Sequence, residues 1–160
     1  MRFTLIDQIQ QLEVGNRIVA SKNLSLAEEY LADHFPGFPV MPGVLMLETM
    51  TQAGAWLVRA TEDFQHSIVV LKEARNVKYG NFVQPGQTLV VTVEIVDRDD
   101  HEVRLKASGT VGEQTTVSAR LTLVRYNLAD REPHKLEVDQ VIKANLRQQF
   151  AQLHRVPAVA

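Results

Sequence analysis

The stretch VLMLETMTQAGAWLVRA, Val44–Ala60, decides what kind of fold the rest of the chain can make. Its apolar residues Val44, Leu45, Leu47, Ala53, Trp56 and Leu57 lie on most sides of a helical wheel rather than along one stripe. A helix of that kind is buried, and it needs a sheet wrapped around it. Pro42 and Gly43 stand at its start, and Pro36, Gly37 and Pro39 precede them. Residues 35–43 are therefore a restricted loop, excluded from regular helix and central strand. Upstream, FTLIDQIQQLEVGNRIVASKNL reads as two strands reversing at Gly15-Asn16, with an imperfect period that leaves a bulge or a short helical reading open. Ser25 and Glu28 have capping-box spacing and predict a short helix ending near Asp33-His34. Downstream, residues 67–126 read as three or four long strands. Alternation is clear at Leu89, Val91, Val93 and Ile95 and again at Val117, Ala119, Leu121 and Leu123. Their turns fall at Gln84–Gln87, Asp97–Asp100 and Gly112-Glu113. A hairpin, one buried helix and a run of antiparallel strands make an α+β domain over residues 1–126.

Residues 127–136 are mostly polar, contain Pro133, and read as a linker. Beyond them Val138, Val141, Ile142, Leu146, Phe150 and Leu153 fall on one helical stripe. Residues 127–160 are thus expected to form a linker and an amphipathic C-terminal helix, packed on the domain, on a sister subunit or on a partner protein.

A length of 160 residues suits one compact domain, and 45% hydrophobic with 22% charged residues is ordinary for a globular protein. The absence of cysteine excludes disulfides, thiolate metal sites and cysteine nucleophiles. No signal-peptide pattern and no apolar run of membrane-spanning length is visible, so a cytoplasmic location is expected and no membrane partner. A formal charge of −2 gives no global pull towards nucleic acid.

Two titratable residues stand where a purely structural chain has little use for them. His34 ends the predicted short helix, just before the proline-stiffened loop, and histidine exchanges protons near neutral pH. Glu48 lies in the second turn of the most apolar helix, among Val44, Leu45, Thr51 and Gln52, where poor solvation suits a carboxyl that takes part in proton transfer. Gly43 at the first turn has a free N–H at the positive end of the helix dipole, able to polarise a substrate carbonyl. His66, His101, His134 and His154 have no partner pattern and read as solvent-side residues.

The segment HFPGFPVMPGVLMLETMTQAGAWL, His34–Leu57, resembles the active-site segment of the β-hydroxyacyl-acyl-carrier-protein dehydratases, the FabZ/FabA family. The residues that carry the resemblance are His34, Phe35, Pro36, Gly37, Pro39, Val40, Met41, Pro42, Gly43 and the glutamate at 48. The first hairpin and VKYGNFVQPGQTL are similar to further family strands, so the resemblance spans residues 3 to about 125. It implies a hot-dog fold, an antiparallel sheet wrapped around a long central helix, with no metal and no cofactor. It implies dehydration of a (3R)-3-hydroxyacyl thioester on acyl carrier protein to the trans-2-enoyl product, in fatty-acid or related acyl-chain biosynthesis. It also implies a homodimer, with a trimer of dimers left open, in which His34 of one subunit faces Glu48 of the other. Gln52 matches a family glutamine that orients the acidic residue, and Gly43 N–H would bind the thioester carbonyl. Glu48 favours the FabZ branch, since the FabA branch has aspartate there, while VKYGNFVQPG is closer to FabA. Gly80 and Asn81 stand where FabZ members place two basic residues that receive the carrier protein, and Lys72, Arg75 and Lys78 are the candidate substitutes. The rival readings are a hot-dog acyl thioesterase, a coenzyme A-linked hydratase and a non-catalytic acyl-binding paralogue.

Overall fold

The computed structural model describes residues 3–155; the outermost parts of the two expected segments, 1–2 and 156–160, lie outside them. Strands β1 (Gln8–Glu13) and β2 (Arg17–Asn23) form the first hairpin. Helix α1 (Gly43–Thr61) follows the loop. Strands β3 (Ile68–Tyr79), β4 (Thr88–Arg98), β5 (Glu102–Val111) and β6 (Gln114–Tyr126) complete one six-stranded antiparallel sheet in the order β1-β2-β4-β5-β6-β3. Helix α2 (Leu136–Leu153) ends the described chain. The three strand reversals fall at the turns expected from sequence, and the irregular period of the first strand is a register shift between Ile9 and Gln11.

Helix α1 touches β2 through β6, so the sheet does wrap around it. Met50, Ala53 and Leu57 are fully buried against Val91, Val93, Leu105, Leu121 and Leu123 from the sheet's inner face. Gly54 makes this approach possible: a Cβ there would lie 2.6 Å from a methyl of Leu105. Thr49 and Thr51 are buried within the helix because their hydroxyls donate back to the carbonyls of Leu45 and Leu47, at 2.7 and 3.0 Å. In the first turn of the helix Val44 is exposed while Met46 is buried in the core.

The Ser25–Glu28 segment corrects the sequence reading. It leads into a single 3-10 turn, Glu29–Leu31, whose N-cap Glu28 makes no side-chain cap. Glu28 instead accepts a 2.6 Å bond from the buried Lys22 ammonium, and that ion pair takes the carboxylate away from the capping geometry. His66 is also misread as a solvent-side residue. Its Nδ1 lies 3.0 Å from Glu62, which at the same time meets the buried Arg125 guanidinium at 2.6 Å.

The expected linker forms two 3-10 turns, Leu128–Asp130 and Pro133–Lys135. Only part of the predicted α2 stripe packs inward. Leu146, Phe150 and Leu153 lie against the core, with Phe150 beside Phe64 and Trp56 at 5.4 and 6.0 Å between ring centroids. Val138 and Val141 are exposed. The N-terminal half of α2 is held by Asp139, whose buried carboxylate accepts the N–H groups of Leu128 and Ala129 at 2.9 Å and the Ser67 hydroxyl. Among the described residues no helix is long and apolar enough to cross a membrane.

Candidate active site

His34 lies between the 3-10 turn and the loop, and the chain reverses sharply beyond it. Phe35 takes a left-handed φ of 51°, and the Phe38 N–H closes the turn on the Phe35 carbonyl at 2.7 Å. A β-unbranched but bulky residue at positive φ is strained, and such strain gathers at functional sites. The loop is held from below. Val40 and Met41 are fully buried, and Met41 N–H donates to the Val83 carbonyl at 2.9 Å. His34 is therefore carried on a braced loop and remains half-buried.

The loop delivers the chain to the start of α1. Within that first turn the Pro42 carbonyl receives the N–H groups of Leu45 and Met46, whereas Gly43 N–H, at the helix start, has no intrahelical acceptor. No acidic residue occupies the first turn, so the positive end of the dipole is left uncompensated. Gly43 also lets the Tyr79 ring come close: a Cβ at 43 would sit 3.0–3.2 Å from three ring carbons. His34 and Gly43 line one cavity of about 380 Å³ with Met41, Met46, Tyr79 and Phe82. Its surroundings are apolar and open. Phe35, Phe38, Val44, Tyr79 and Phe82 are all exposed, and Phe38 and Phe82 meet edge-on at 5.6 Å.

Glu48 is elsewhere. With Gln52, Trp56 and Arg59 it lines a second cavity of about 320 Å³, bounded by Val69–Leu71 of β3 and by Leu146 and Gln149 of α2. Gln52 Nε2 donates to Glu48 Oε1 at 3.0 Å and to the Phe3 carbonyl at 3.0 Å. Gln52 Oε1 accepts the Leu5 N–H at 2.9 Å. The structure thus brings together His34 with Gly43, and Glu48 with Gln52, and lines a different cavity with each pair. Arg59 is the cavity residue that sequence reasoning passed over. A lone arginine near a helix end reads as surface charge, and only tertiary packing encloses it.

The departure at residues 80 and 81 has a packing cause. A side chain on Gly80 would meet the Thr115 carbonyl oxygen at 2.9 Å, and Asn81 Nδ2 donates to that same oxygen at 3.2 Å. Of the candidate substitutes, Lys72 is paired with Glu102 and Arg75 with Glu73, while Lys78 has no ion pair among the described residues.

The FabA-like domain family model matches residues 1–120. The 3-hydroxyacyl-[acyl-carrier-protein] dehydratase FabZ of Levilactobacillus brevis is 36% identical over 119 residues, 74% of this chain and 80% of that protein. The protein of the same name from Clostridium kluyveri is 37% identical over 113 residues, 71% of this chain and 74% of that one. Among solved structures, a chain of the dehydratase heterocomplex ApeI:P from Xenorhabdus doucetiae matches with a TM-score of 0.65, covering 87% of this chain and 89% of its own at 18% identity. A hypothetical thioesterase with coenzyme A from Streptococcus pneumoniae matches with a TM-score of 0.55 at 14% identity, covering 74% of this chain and 84% of its own. These structures share the hot-dog fold with it. By the family match and by relatives more than 30% identical across most of both chains, this protein belongs to the FabA-like family.

Proposed function

We propose that the chain is a 3-hydroxyacyl-[acyl-carrier-protein] dehydratase that converts (3R)-3-hydroxyacyl thioesters into trans-2-enoyl thioesters in the cytoplasm. The observation that carries this reading is the placement of His34 and an unengaged Gly43 N–H in one cavity. Neutral His34 removes the C2 proton. The electron pair moves towards the thioester carbonyl, whose developing negative charge is met by Gly43 N–H and the helix dipole. Collapse of that enolate-like species forms the C2–C3 double bond and breaks the C3–O bond. Glu48 protonates the departing hydroxyl, directly or through water, so one water leaves. The proton on His34 then returns to the Glu48 carboxylate through solvent or substrate exchange. No redox change occurs.

His34 and Glu48 line separate cavities within one chain. That separation supports the reading in which the working pair is His34 of one subunit and Glu48 of its partner in a homodimer. The exposed edge of β3, the exposed Val70 on it and the apolar rim of the His34 cavity supply a surface suited to such an interface. Gln52 orients the Glu48 carboxylate.

The test is mass spectrometry of a 3-hydroxyacyl carrier protein incubated with the enzyme. Loss of one water from the bound acyl group is the expected result. Release of free acid would make the protein a thioesterase, and binding without change would make it a non-catalytic paralogue. His34→Ala is expected to abolish the water loss while the protein stays folded by circular dichroism.

A further inference from the structure

Eleven residues beyond Glu48, on the same face of α1, Arg59 lines the same cavity. Successive positions 48, 52 and 59 lie within a narrow sector of the helix, so the cavity runs along α1 for about 16 Å at 1.5 Å per residue. Arg59 is an unusual residue to find at its end. Its Nε is buried without a hydrogen-bond partner, and no carboxylate lies within ion-pair distance among the described residues. What it has is the face of Trp56, with the guanidinium carbon 5.2 Å from the ring centroid. Burial lowers the guanidinium pKa to about 10, which still leaves it charged at neutral pH. A partly desolvated cation with one face on an aromatic ring, a buried Nε and no carboxylate partner is suited to a planar oxyanion.

Helix α2 also lines the cavity, through Leu146 and Gln149, and Phe150 of the same helix packs on Trp56. Helix α2 lies beyond residue 120, where the family match stops. Part of this cavity's wall is therefore built by an element that the matched domain does not supply.

We infer that Arg59, enclosed by α2, is a specificity residue that receives a carboxylate at the distal end of the acyl chain, so that the preferred substrates are ω-carboxy-3-hydroxyacyl thioesters. This rests on the dehydratase reading above, with the reacting carbons held near Glu48 and the tail laid along α1. A methyl terminus would leave the partly buried guanidinium facing hydrocarbon without a counter-ion. That is a poor exchange for a buried charge.

The experiment compares carrier-protein substrates of equal length, methyl-terminated or carboxyl-terminated, over a series of lengths up to the 48-to-59 span. Wild-type enzyme should favour the carboxyl-terminated member by about tenfold or more in kcat/KM at the matching length, the scale of a hydrogen bond to a charged group. Arg59→Gln should collapse that ratio towards one, and Arg59→Lys should keep part of it. Equal turnover of both termini by wild type would overturn the inference and leave the dehydratase reading standing. So would an unchanged ratio in Arg59→Gln, or an equal loss on both substrates. Absence of water loss from every substrate would remove the dehydratase reading and this inference with it. Should Arg59→Gln fail to fold, the wild-type ratio and Arg59→Lys decide.

Discussion

Gln52 shows how much one side chain can hold together. Its amide engages the buried Leu5 N–H, the Phe3 carbonyl and the Glu48 carboxylate at once. Gln52→Ala leaves the Leu5 N–H unpaired in the core, a cost of about 1–3 kcal/mol. The melting temperature should fall accordingly, by about 2–4 °C per kcal/mol for a domain of this size. Turnover should fall as well, on the order of tenfold, because the carboxylate loses the donor that fixes it. Calorimetry and steady-state kinetics on the same preparation read both, and unchanged turnover would separate Gln52 from the reaction. The residue types were legible in the segment from His34 to Gln52, since the loop and helix pattern singles them out. The double duty of Gln52 was not, because its partners Phe3 and Leu5 lie far away in sequence.

The two helices depend on burial in different ways. Helix α1 is held by apolar side chains fitted into the sheet, and Leu57, towards its C-terminal end, is 0% exposed. Leu57→Ala is expected to cost about 2–5 kcal/mol. That corresponds to a fall in melting temperature of roughly 4–20 °C, checked by calorimetry. Helix α2 is held by Phe150 at one end and by a polar anchor at the other. Burial of Asp139 disfavours its charge, but the bonds from the Ser67 hydroxyl and the Ala129 and Leu128 N–H groups more than compensate and hold its carboxyl below the usual value. A depressed carboxyl contributes its stability above the unfolded value, near 3.9, and loses it as pH falls through the folded value. The difference in melting temperature between wild type and Asp139→Asn should thus be steady above about pH 5 and shrink below about pH 4. A difference that stays constant to low pH would show that ionisation of Asp139 does not anchor α2. The sequence pattern located both helices. It could not divide the α2 stripe into a packed half and an exposed half, because that depends on where Phe64 and Trp56 end up.

At the scale of the whole molecule the proposed pairing of His34 with the partner's Glu48 makes a mixing prediction. His34→Ala and Glu48→Gln should each be inactive alone. A random mixture should recover about one quarter of wild-type activity, since half the dimers carry both chains and each of these has one intact site of two. Activity assays on unfolded and co-refolded mixtures measure it, and no recovery would put both residues of a working pair in the same chain. By itself the sequence determined the α+β class, the central helix, the hairpin and turn positions, and which residues are the candidates for acid–base chemistry. Those follow from local periodicity, from proline and glycine, and from one contiguous motif. Only the tertiary structure decided that His34 and Glu48 line different cavities, that Glu28 serves Lys22 rather than a helix cap, and that Glu62 joins His66 to Arg125. It also decided that Gly80 leaves no room for a basic side chain and that Arg59 is enclosed. Each of these depends on packing between residues distant in sequence, and the energy of a buried charge or a close contact is set by neighbours that no local pattern names.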